Sequence, residues 1–314
     1  MSTIEAAPAD ETFYGQHQAE LDRLFEIVLP YGVELPEDLT AAVETTQPWV
    51  RGDHARPEHN FSFEEPESEE LYDIYDALGL REAHELPTGH YDHTVLLGGV
   101  HRGNNRRLAF MREVLTHGLT LTDDIMLLGG ERRIYPEVER TTIYENLRKL
   151  ARLDDPWLGN LRNTLPTAWW ESDLLRLAAL RQLGPLAVQG EDVVDLQAEH
   201  RPHLQAFTWR NIPLAIMHTK AVQRQGEARH TTEACIRDWL ATTHPAQNSR
   251  VAFISANPHL IRMGRSAQAV LRDEGRADID LTVAGPASPD YVGHSHYLGE
   301  IARHLYEDKR LVEA

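Results

Sequence analysis

The sequence predicts an α/β protein with a doubly wound, mainly parallel sheet. Short apolar runs that end in glycines or small residues alternate with segments of helical periodicity, and this alternation is typical of such sheets. Two of the runs, Thr94–Leu97 and Asp124–Leu128, are each followed by Gly-Gly. The two Gly-Gly pairs lie about 31 residues apart, which is the pitch of a β-α-β unit with a right-handed crossover. These observations favour a five-stranded, Rossmann-like sheet.

The first ninety residues predict an acidic helical layer. Apolar side chains recur every three or four residues in 14–29, after Pro36 and in 69–80, so we expect a helix in each segment. Residues 1–12 are expected to be disordered, and 51–70 to be largely a loop. The layer holds 21 Asp and Glu but only four Arg, and therefore carries nearly all of the net charge of −18. We interpret this acidic surface as solubilising.

Three more strands are expected beyond a helical insertion. Residues 136–204 are helical in character and broken by prolines, so we expect them to form a cap at an edge of the sheet. The segments 211–217, 250–255 and 278–284 then predict strands, each followed by a helix. The predicted organisation is a helical N-terminal layer, residues 1–90, and an α/β core with its insertion, residues 91–314.

Composition excludes several classes of partner. No apolar run reaches the length of a bilayer span, and the first thirty residues lack a basic-then-apolar signal, so we expect a cytoplasmic protein with no membrane partner. The acidic charge balance argues against nucleic acid, because it would repel phosphate. The only cysteine, Cys235, falls in a predicted amphipathic helix and is expected to be a packed thiol. A homo-oligomer is left open.

The loops that follow the five strands hold the candidate site. In an open parallel sheet, ligands bind outside the carboxyl ends of the strands. Glycines there let a ligand approach the backbone, while Arg, Lys and helix N-termini complement negative oxygens. We therefore expect a small anionic or nucleotide-like ligand. The candidate ligand-binding residues are Gly98, Gly99, Arg102, Asn105, Arg106, Gly129, Gly130, Glu131, Lys220, Thr231, Thr232, Ser255, Asn257 and Arg262.

The segment 250–262 contains the largest number of candidate functional features. It predicts a strand, a small-residue turn with Asn257 as N-cap, and a helix with Pro258 at its first position. His259 is the candidate general acid/base, because its unperturbed pKa of about 6.5 suits that role. Glu233 is the candidate that orients His259 or the substrate. Capped turns and solvated arginines would explain the same residues without a ligand, and that interpretation stays open.

Several familiar motifs are absent from the sequence. It contains no phosphate-binding P-loop, no Gly-x-Gly-x-x-Gly fingerprint, no nucleophile elbow and no paired-cysteine or His-Glu-x-x-His metal spacing. No metal is predicted. His200 and His203 have metal-like spacing without an assignable carboxylate, and we interpret them as surface histidines.

The order of these motifs resembles the bacterial domain-of-unknown-function family that includes SanA, ElyC and YdcF. The resembling segments are 95–99 with Arg102 or Arg106, 127–130, 231–234 and 255–262. The resemblance implies a Rossmann-like core and a nucleotide-type ligand such as S-adenosylmethionine. This chain has Arg229 and Glu233-Ala234 where the family commonly has an acidic residue and Glu-Asn, so the resemblance does not identify the ligand.

Two functional hypotheses follow. The first is a cytoplasmic protein that binds a small anionic or nucleotide-like ligand at the strand carboxyl ends, with transferase and phosphoester hydrolase as the candidate reactions. The second is a non-catalytic module that senses a metabolite or binds another protein, in which the helical layer and the insertion form partner surfaces. Whether the insertion covers the strand ends, as an enzyme lid does, discriminates between them.

Overall fold

The computed structural model of the chain describes residues 12–31, 34–49, 69–117, 120–131, 134, 136–153, 155–163, 169–189, 203–220, 222–224, 227–229 and 231–312. These residues form eleven α-helices and nine strands. The expected disordered segment 1–12 and the expected loop 51–70 lie almost wholly outside the described residues.

The strands are β1 (Gly89–Leu97), β2 (Thr120–Gly130), β3 (Ala187–Val188), β4 (Leu204–Trp209), β5 (Ile212–Thr219), β6 (Val222–Arg224), β7 (Glu227–Arg229), β8 (Arg250–Ile254) and β9 (Asp280–Ala284). The helices are α1 (Phe13–Gln16), α2 (Gln18–Val28), α3 (Leu39–Thr46), α4 (Glu70–Ala77), α5 (His101–Thr116), α6 (Pro136–Lys149), α7 (Pro156–Arg162), α8 (Glu171–Leu183), α9 (Thr232–Thr243), α10 (Leu260–Asp273) and α11 (His294–Val312). Short 3₁₀ segments follow α2 and α3, at Leu29–Tyr31 and Gln47–Trp49.

The main sheet has the strand order β3-β4-β5-β2-β1-β8-β9. From β5 to β9 all neighbours are parallel, whereas β3, β4 and β5 pair antiparallel. The predicted α/β fold with a mainly parallel sheet is therefore confirmed. Among the described residues this sheet has seven strands rather than five. The two extra strands are β3, which lies inside the segment predicted to be a helical insertion, and β4, which begins at the last residue of that segment, Leu204, and continues beyond it.

Strand β4 forms because its side chains alternate between buried and more exposed positions. A two-residue turn joins β4 to β5, and Trp209 pairs with Ile212 across it. Both turn residues, Arg210 and Asn211, have positive φ, at 50° and 68°. That geometry is typical of the tight turns that match the twist of a β-hairpin.

Helices cover both faces of the parallel strands. Successive side chains of β1 point to opposite faces of the sheet. Leu96 therefore packs in one apolar core and Val95 in another. The first core includes Leu174 of α8, and the second includes Trp239 of α9. A strand that is buried on both faces consists of consecutive apolar residues. Such runs are visible in the sequence, and therefore these strands could be predicted.

The chain divides into two compact units. The first comprises the described residues up to 83, together with 257–262 and 287–312, and the second comprises 84–256 and 263–286. The predicted helices in the first ninety residues are present, and α2 buries Leu21, Leu24, Phe25 and Val28 as expected.

Helix α11 belongs to the first unit, although the sequence grouped it with the sheet. Its buried residues Tyr297, Leu298, Ile301 and Leu305 share one core with those of α2 and α4. Within the described helices, none combines the length and the hydropathy that crossing a bilayer requires.

Candidate functional site

The start of α8 lies against the carboxyl ends of β1 and β2. A Cβ atom on Gly129 would lie 2.8 Å from Cα of Ser172, and one on Gly98 would lie 2.7 Å from Oε1 of Glu171. Real Cβ atoms essentially never approach backbone this closely, so glycine at 129 lets α8 pack against β2, whereas a Cβ on Gly98 would lie 2.6 Å from the carbonyl oxygen of Leu128. The helical insertion thus covers these two strand ends, and its first turn occupies the space that the two glycines leave.

A buried serine–histidine pair lies beside this contact. Oγ of Ser172, in α8, is 3.0 Å from Nδ1 of His218, near the end of β5. Both side chains are buried, and the Trp170 and His218 rings lie nearly perpendicular, with their centroids 5.4 Å apart. The next residue, Thr219, donates its hydroxyl hydrogen to the carbonyl of Gly129. The ends of β2 and β5 are therefore joined through polar side chains as well as through the backbone ladder.

Side chains of the helical insertion form hydrogen bonds with His101 in the first turn of α5. The backbone N–H of His101 donates to Oε1 of Glu139 at 2.8 Å, so a carboxylate of the protein already binds this helix N-terminus. The imidazole Nδ1 faces the carbonyl of Leu174, and Nε2 faces the amide nitrogens of Asn105 and Asn146. Burial lowers the pKa of His101 to about 4, so this imidazole is neutral at pH 7.

Basic side chains of α5 gather near the loop that follows β1. The buried Arg107 guanidinium donates to the carbonyls of Leu97 and Gly98, both at 2.7 Å, and burial lowers its pKa to about 10. It also lies 3.1 Å from where a Cβ of Gly99 would be. Of the candidate arginines, Arg106 is half-buried. Besides burial, the charge of Glu171 raises the pKa of Arg107 and that of Arg106 lowers it, so charges of both signs act at this corner.

Arg102 is also part of α5 and is exposed. Asn105 is held by Gln182 of α8, which donates to its side-chain oxygen. Two of the candidate residues follow β2. Gly130 is buried at the end of β2, and the backbone N–H of Glu131 donates to the carbonyl of Thr219.

The candidates near α9 have structural partners. Thr231 caps the helix, because its side chain accepts a hydrogen bond from the N–H of Ala234. Thr232 and Glu233 are half-buried in the first turn, and Lys220 is exposed after β5. In the same helix, Cys235 is buried, and burial raises the pKa of its thiol.

The turn after β8 differs from the prediction. Helix α10 begins at Leu260, so the predicted roles of Asn257 as N-cap and Pro258 as first helical residue are wrong. The Asn257 amide instead donates to the carbonyls of Gly79 and Glu82, which satisfies two backbone acceptors of the loop between α4 and β1. Ser255, the residue after β8, directs its hydroxyl to the sulfur of Met263.

His259 and Arg262 meet at a buried carboxylate, Glu300 of α11. Nδ1 of His259 lies 2.9 Å from Oε1, and Nε of Arg262 lies 2.8 Å from Oε2. Arg303 of the same helix binds Oε1 as well. We call these four residues, His259, Arg262, Glu300 and Arg303, the Glu300 cluster.

The electrostatics of the Glu300 cluster follow from burial and charge. The Glu300 side chain has no exposed surface, yet the neighbouring cations hold its pKa well below the usual range of a carboxyl group, so it is ionised. The same carboxylate raises the pKa of Arg262. The His259 side chain remains 35% exposed. A buried carboxylate that faces Nδ1 can orient an imidazole for proton transfer at Nε2.

The structure therefore groups the predicted residues in two sets. Gly98, Gly99, Arg102, Asn105, Arg106, Gly129, Gly130, Glu131, Lys220, Thr231, Thr232, Glu233 and Ser255 belong to the second unit, whereas Asn257, His259 and Arg262 belong to the first. Sequence reasoning did not identify Glu300, Glu139 or Ser172. For Glu300 a signal existed, because an ionisable residue stands beside Ile301 and three positions after Tyr297 on the apolar stripe of a helix.

Comparison of the chain with protein-family models, curated proteins and solved structures found no match.

Proposed function

We propose that the chain is a Rossmann-like α/β protein that binds a small anionic or nucleotide-like ligand at the strand carboxyl ends. The order of the parallel strands carries this proposal. Taken in chain order as first to fifth, β1, β2, β5, β8 and β9 lie in the spatial order third, second, first, fourth, fifth. That is the order of the dinucleotide-binding sheet, in which ligands bind where the strand order reverses.

The reversal falls between β1 and β8. The loop after β1 contains Gly99 and leads into α5, where Arg102, Arg106 and Arg107 supply positive charge. The loop after β8 begins with the small residues Ser255 and Ala256. An anionic group of the ligand would be attracted to this corner by the arginines and by the backbone N–H groups of the loop.

For catalysis, the proposal keeps His259 as general acid/base and assigns its orientation to Glu300. The candidate reactions are group transfer and phosphoester hydrolysis, and both need proton transfer to or from an oxygen. Arg262 and Arg303 would stabilise negative charge that develops near the imidazole. Glu233 is retained as a candidate for contacting the substrate.

A thermal-shift titration tests the ligand site. The panel consists of nucleotides, S-adenosylmethionine and sugar phosphates, since a ligand at 100 times its dissociation constant stabilises the folded state by about 2.7 kcal/mol. We expect a shift that is lost in Arg106→Ala. Arg112→Ala is the matched control, because Arg112 lies on the same helix and contacts the carbonyl of Gln182. A panel without any shift would contradict the proposal.

The non-catalytic module remains the second candidate. By the lid criterion, the packing of α8 against the ends of β1 and β2 favours an enzyme. The observation that favours the module is that Glu139, a carboxylate of the protein itself, already binds the start of α5. Turnover of any ligand found in the panel distinguishes the two functions. An enzyme should lose at least about 100-fold in kcat in His259→Gln. A sensor should bind the ligand without turnover and should be insensitive to that substitution.

A further inference from the structure

Two carboxylates and an imidazole lie close together near the amino ends of β1 and β2. This is the end of the strands opposite to the candidate ligand site. His90 and Asp92 lie on β1, and Asp123 lies on β2. One ligand atom from each residue can be chosen so that all three lie within 4.8 Å of one another. Nε2 of His90 is 2.8 Å from Oδ1 of Asp123. We call His90, Asp92 and Asp123 the amino-edge triad.

The strand register explains why the triad forms. Tyr91 pairs with Thr122 and His93 with Asp124, so Asp92 and Asp123 are direct neighbours on adjacent parallel strands. His90 lies two residues before Asp92 and therefore on the same face of the sheet. All three ligands thus project from paired strands rather than from loops.

The backbone around the triad restrains one of its carboxylates. Oδ2 of Asp92 accepts a hydrogen bond of 2.7 Å from the backbone N–H of Arg250 on β8. The Arg250 guanidinium contacts other groups. Its Nε lies 3.3 Å from Asp280, and Nη1 donates to the carbonyl of His90. Two like charges directly opposite each other on neighbouring strands are unfavourable, and a bound cation would offset this repulsion.

We propose that the amino-edge triad binds a divalent first-row transition-metal ion. One imidazole nitrogen and two carboxylate oxygens form a mixed set that suits Mn²⁺, Fe²⁺ or Zn²⁺ better than the all-oxygen ions Ca²⁺ and Mg²⁺. The ion would offset the two negative charges and leave coordination positions for water. Access is open, because the side chains of His90 and Asp123 are 52% and 65% exposed.

Sequence motifs do not reveal this triad, since Asp92 and Asp123 are 31 positions apart and only the strand register brings them together. The competing explanation is a simple ion pair between His90 and Asp123, which involves no metal. Asp92 distinguishes the two explanations. If the triad binds a metal ion, replacing Asp92 should weaken metal binding; if His90 and Asp123 form only an ion pair, Asp92 has no such role.

Titration with Mn²⁺, followed by the electron paramagnetic resonance signal of free Mn²⁺, tests the proposal on the chelator-treated full-length protein. We expect one saturable site whose affinity falls at least about tenfold in Asp92→Asn and in Asp123→Asn. Asp124→Asn is the matched control. Asp124 pairs with His93 one position further along the same strands, on the other face of the sheet, so its removal should change the affinity less than about twofold.

Melting curves of each variant without metal confirm that it is folded. Absence of saturable Mn²⁺ binding by the wild-type protein would overturn the proposal. So would equal affinities in the wild type, Asp92→Asn and Asp123→Asn, because the ion would then be bound elsewhere. The thermal-shift titration with nucleotides tests the site at the carboxyl ends of the strands, whereas Mn²⁺ binding tests the amino ends. The two proposals can therefore fail independently.

Discussion

Nδ1 of His259 lies 2.9 Å from Oε1 of Glu300, a carboxylate whose side chain has no exposed surface. The two residues are 41 positions apart in the sequence and meet only when α11 is in place. Because Arg262 and Arg303 bind the same carboxylate, Glu300 is the common partner of three basic side chains.

Glu300→Gln should lower the free energy of unfolding by about 3 kcal/mol, because it leaves partly buried guanidinium groups without their counter-charge. Urea denaturation measures this change. Glu307→Gln is the matched control on the same helix, since Glu307 lies 3.9 Å from Arg262 and is 27% exposed. Its removal should cost less than about 1 kcal/mol. Equal effects of the two substitutions would contradict the central role of Glu300.

The same cluster should produce an acid-dependent loss of stability. The folded-state pKa of Glu300 lies below that of an unfolded glutamate, which is about 4.3. Its contribution is therefore complete above that pH and is lost as the pH falls towards the folded-state pKa. Unfolding free energies measured from pH 6 to pH 3 should fall more steeply in the wild type than in Glu300→Gln. Parallel curves would show that Glu300 titrates normally.

His101 should act in a higher pH window. Its folded-state pKa of about 4 lies below the unfolded value of 6.5, so the folded state binds fewer protons between these limits. Stability should therefore fall as the pH is lowered from 6.5 to 4, by about 3 kcal/mol in total. His101→Gln should flatten the pH profile in this window and leave the steeper fall below pH 4.3 in place. Nuclear magnetic resonance titration of the His101 ring provides a direct measurement of its pKa.

Because Gly129 packs closely against α8, adding a single methyl group at this position should strongly reduce the stability of the protein. Gly129→Ala would place Cβ 2.8 Å from the Ser172 backbone, and it should destabilise the protein by at least about 2 kcal/mol. Gly159→Ala is the control, because among the described residues only its chain neighbours and its own helix backbone lie within 4 Å of the added Cβ. In the middle of α7 it should stabilise by about 0.5–1 kcal/mol. Thermal melts of both variants measure these opposite signs.

Cys235 should be unreactive in the native protein. The thiol is buried, and burial raises its pKa, so the nucleophilic thiolate is scarce at neutral pH. Ellman's reagent should label no thiol in the native protein and one per chain in 6 M guanidinium chloride, because the sequence contains a single cysteine. Rapid labelling under native conditions would mean that α9 opens readily.

The sequence predicted the parts of the fold that depend on local pattern. Parallel strands are present at the five predicted segments. Strands β1, β2, β5 and β8 contain buried apolar runs that the sequence shows, whereas the edge strand β9 is only partly buried. Strand β4 was missed because it lies between the predicted insertion, which ended at 204, and the strand predicted from 211. In addition, its buried Gln205 and exposed Leu204 break the expected alternation of apolar and polar residues. The candidate sites depend on long-range contacts instead. Neither the approach of Glu300 to His259 nor that of Asp92 to Asp123 leaves a local pattern in the sequence.

The hairpin of β4 and β5 bears on the order in which the sheet can assemble. Its two strands are joined by only two residues, so its pairing requires closure of a very short loop. The pairing of β1 with β8, in contrast, brings together segments about 158 positions apart, as His93 and Val251 are. Since closure entropy grows with loop length, β5 with its antiparallel partner can fold early and locally. The central β1–β8 pairing must wait until the chain has been synthesised as far as β8.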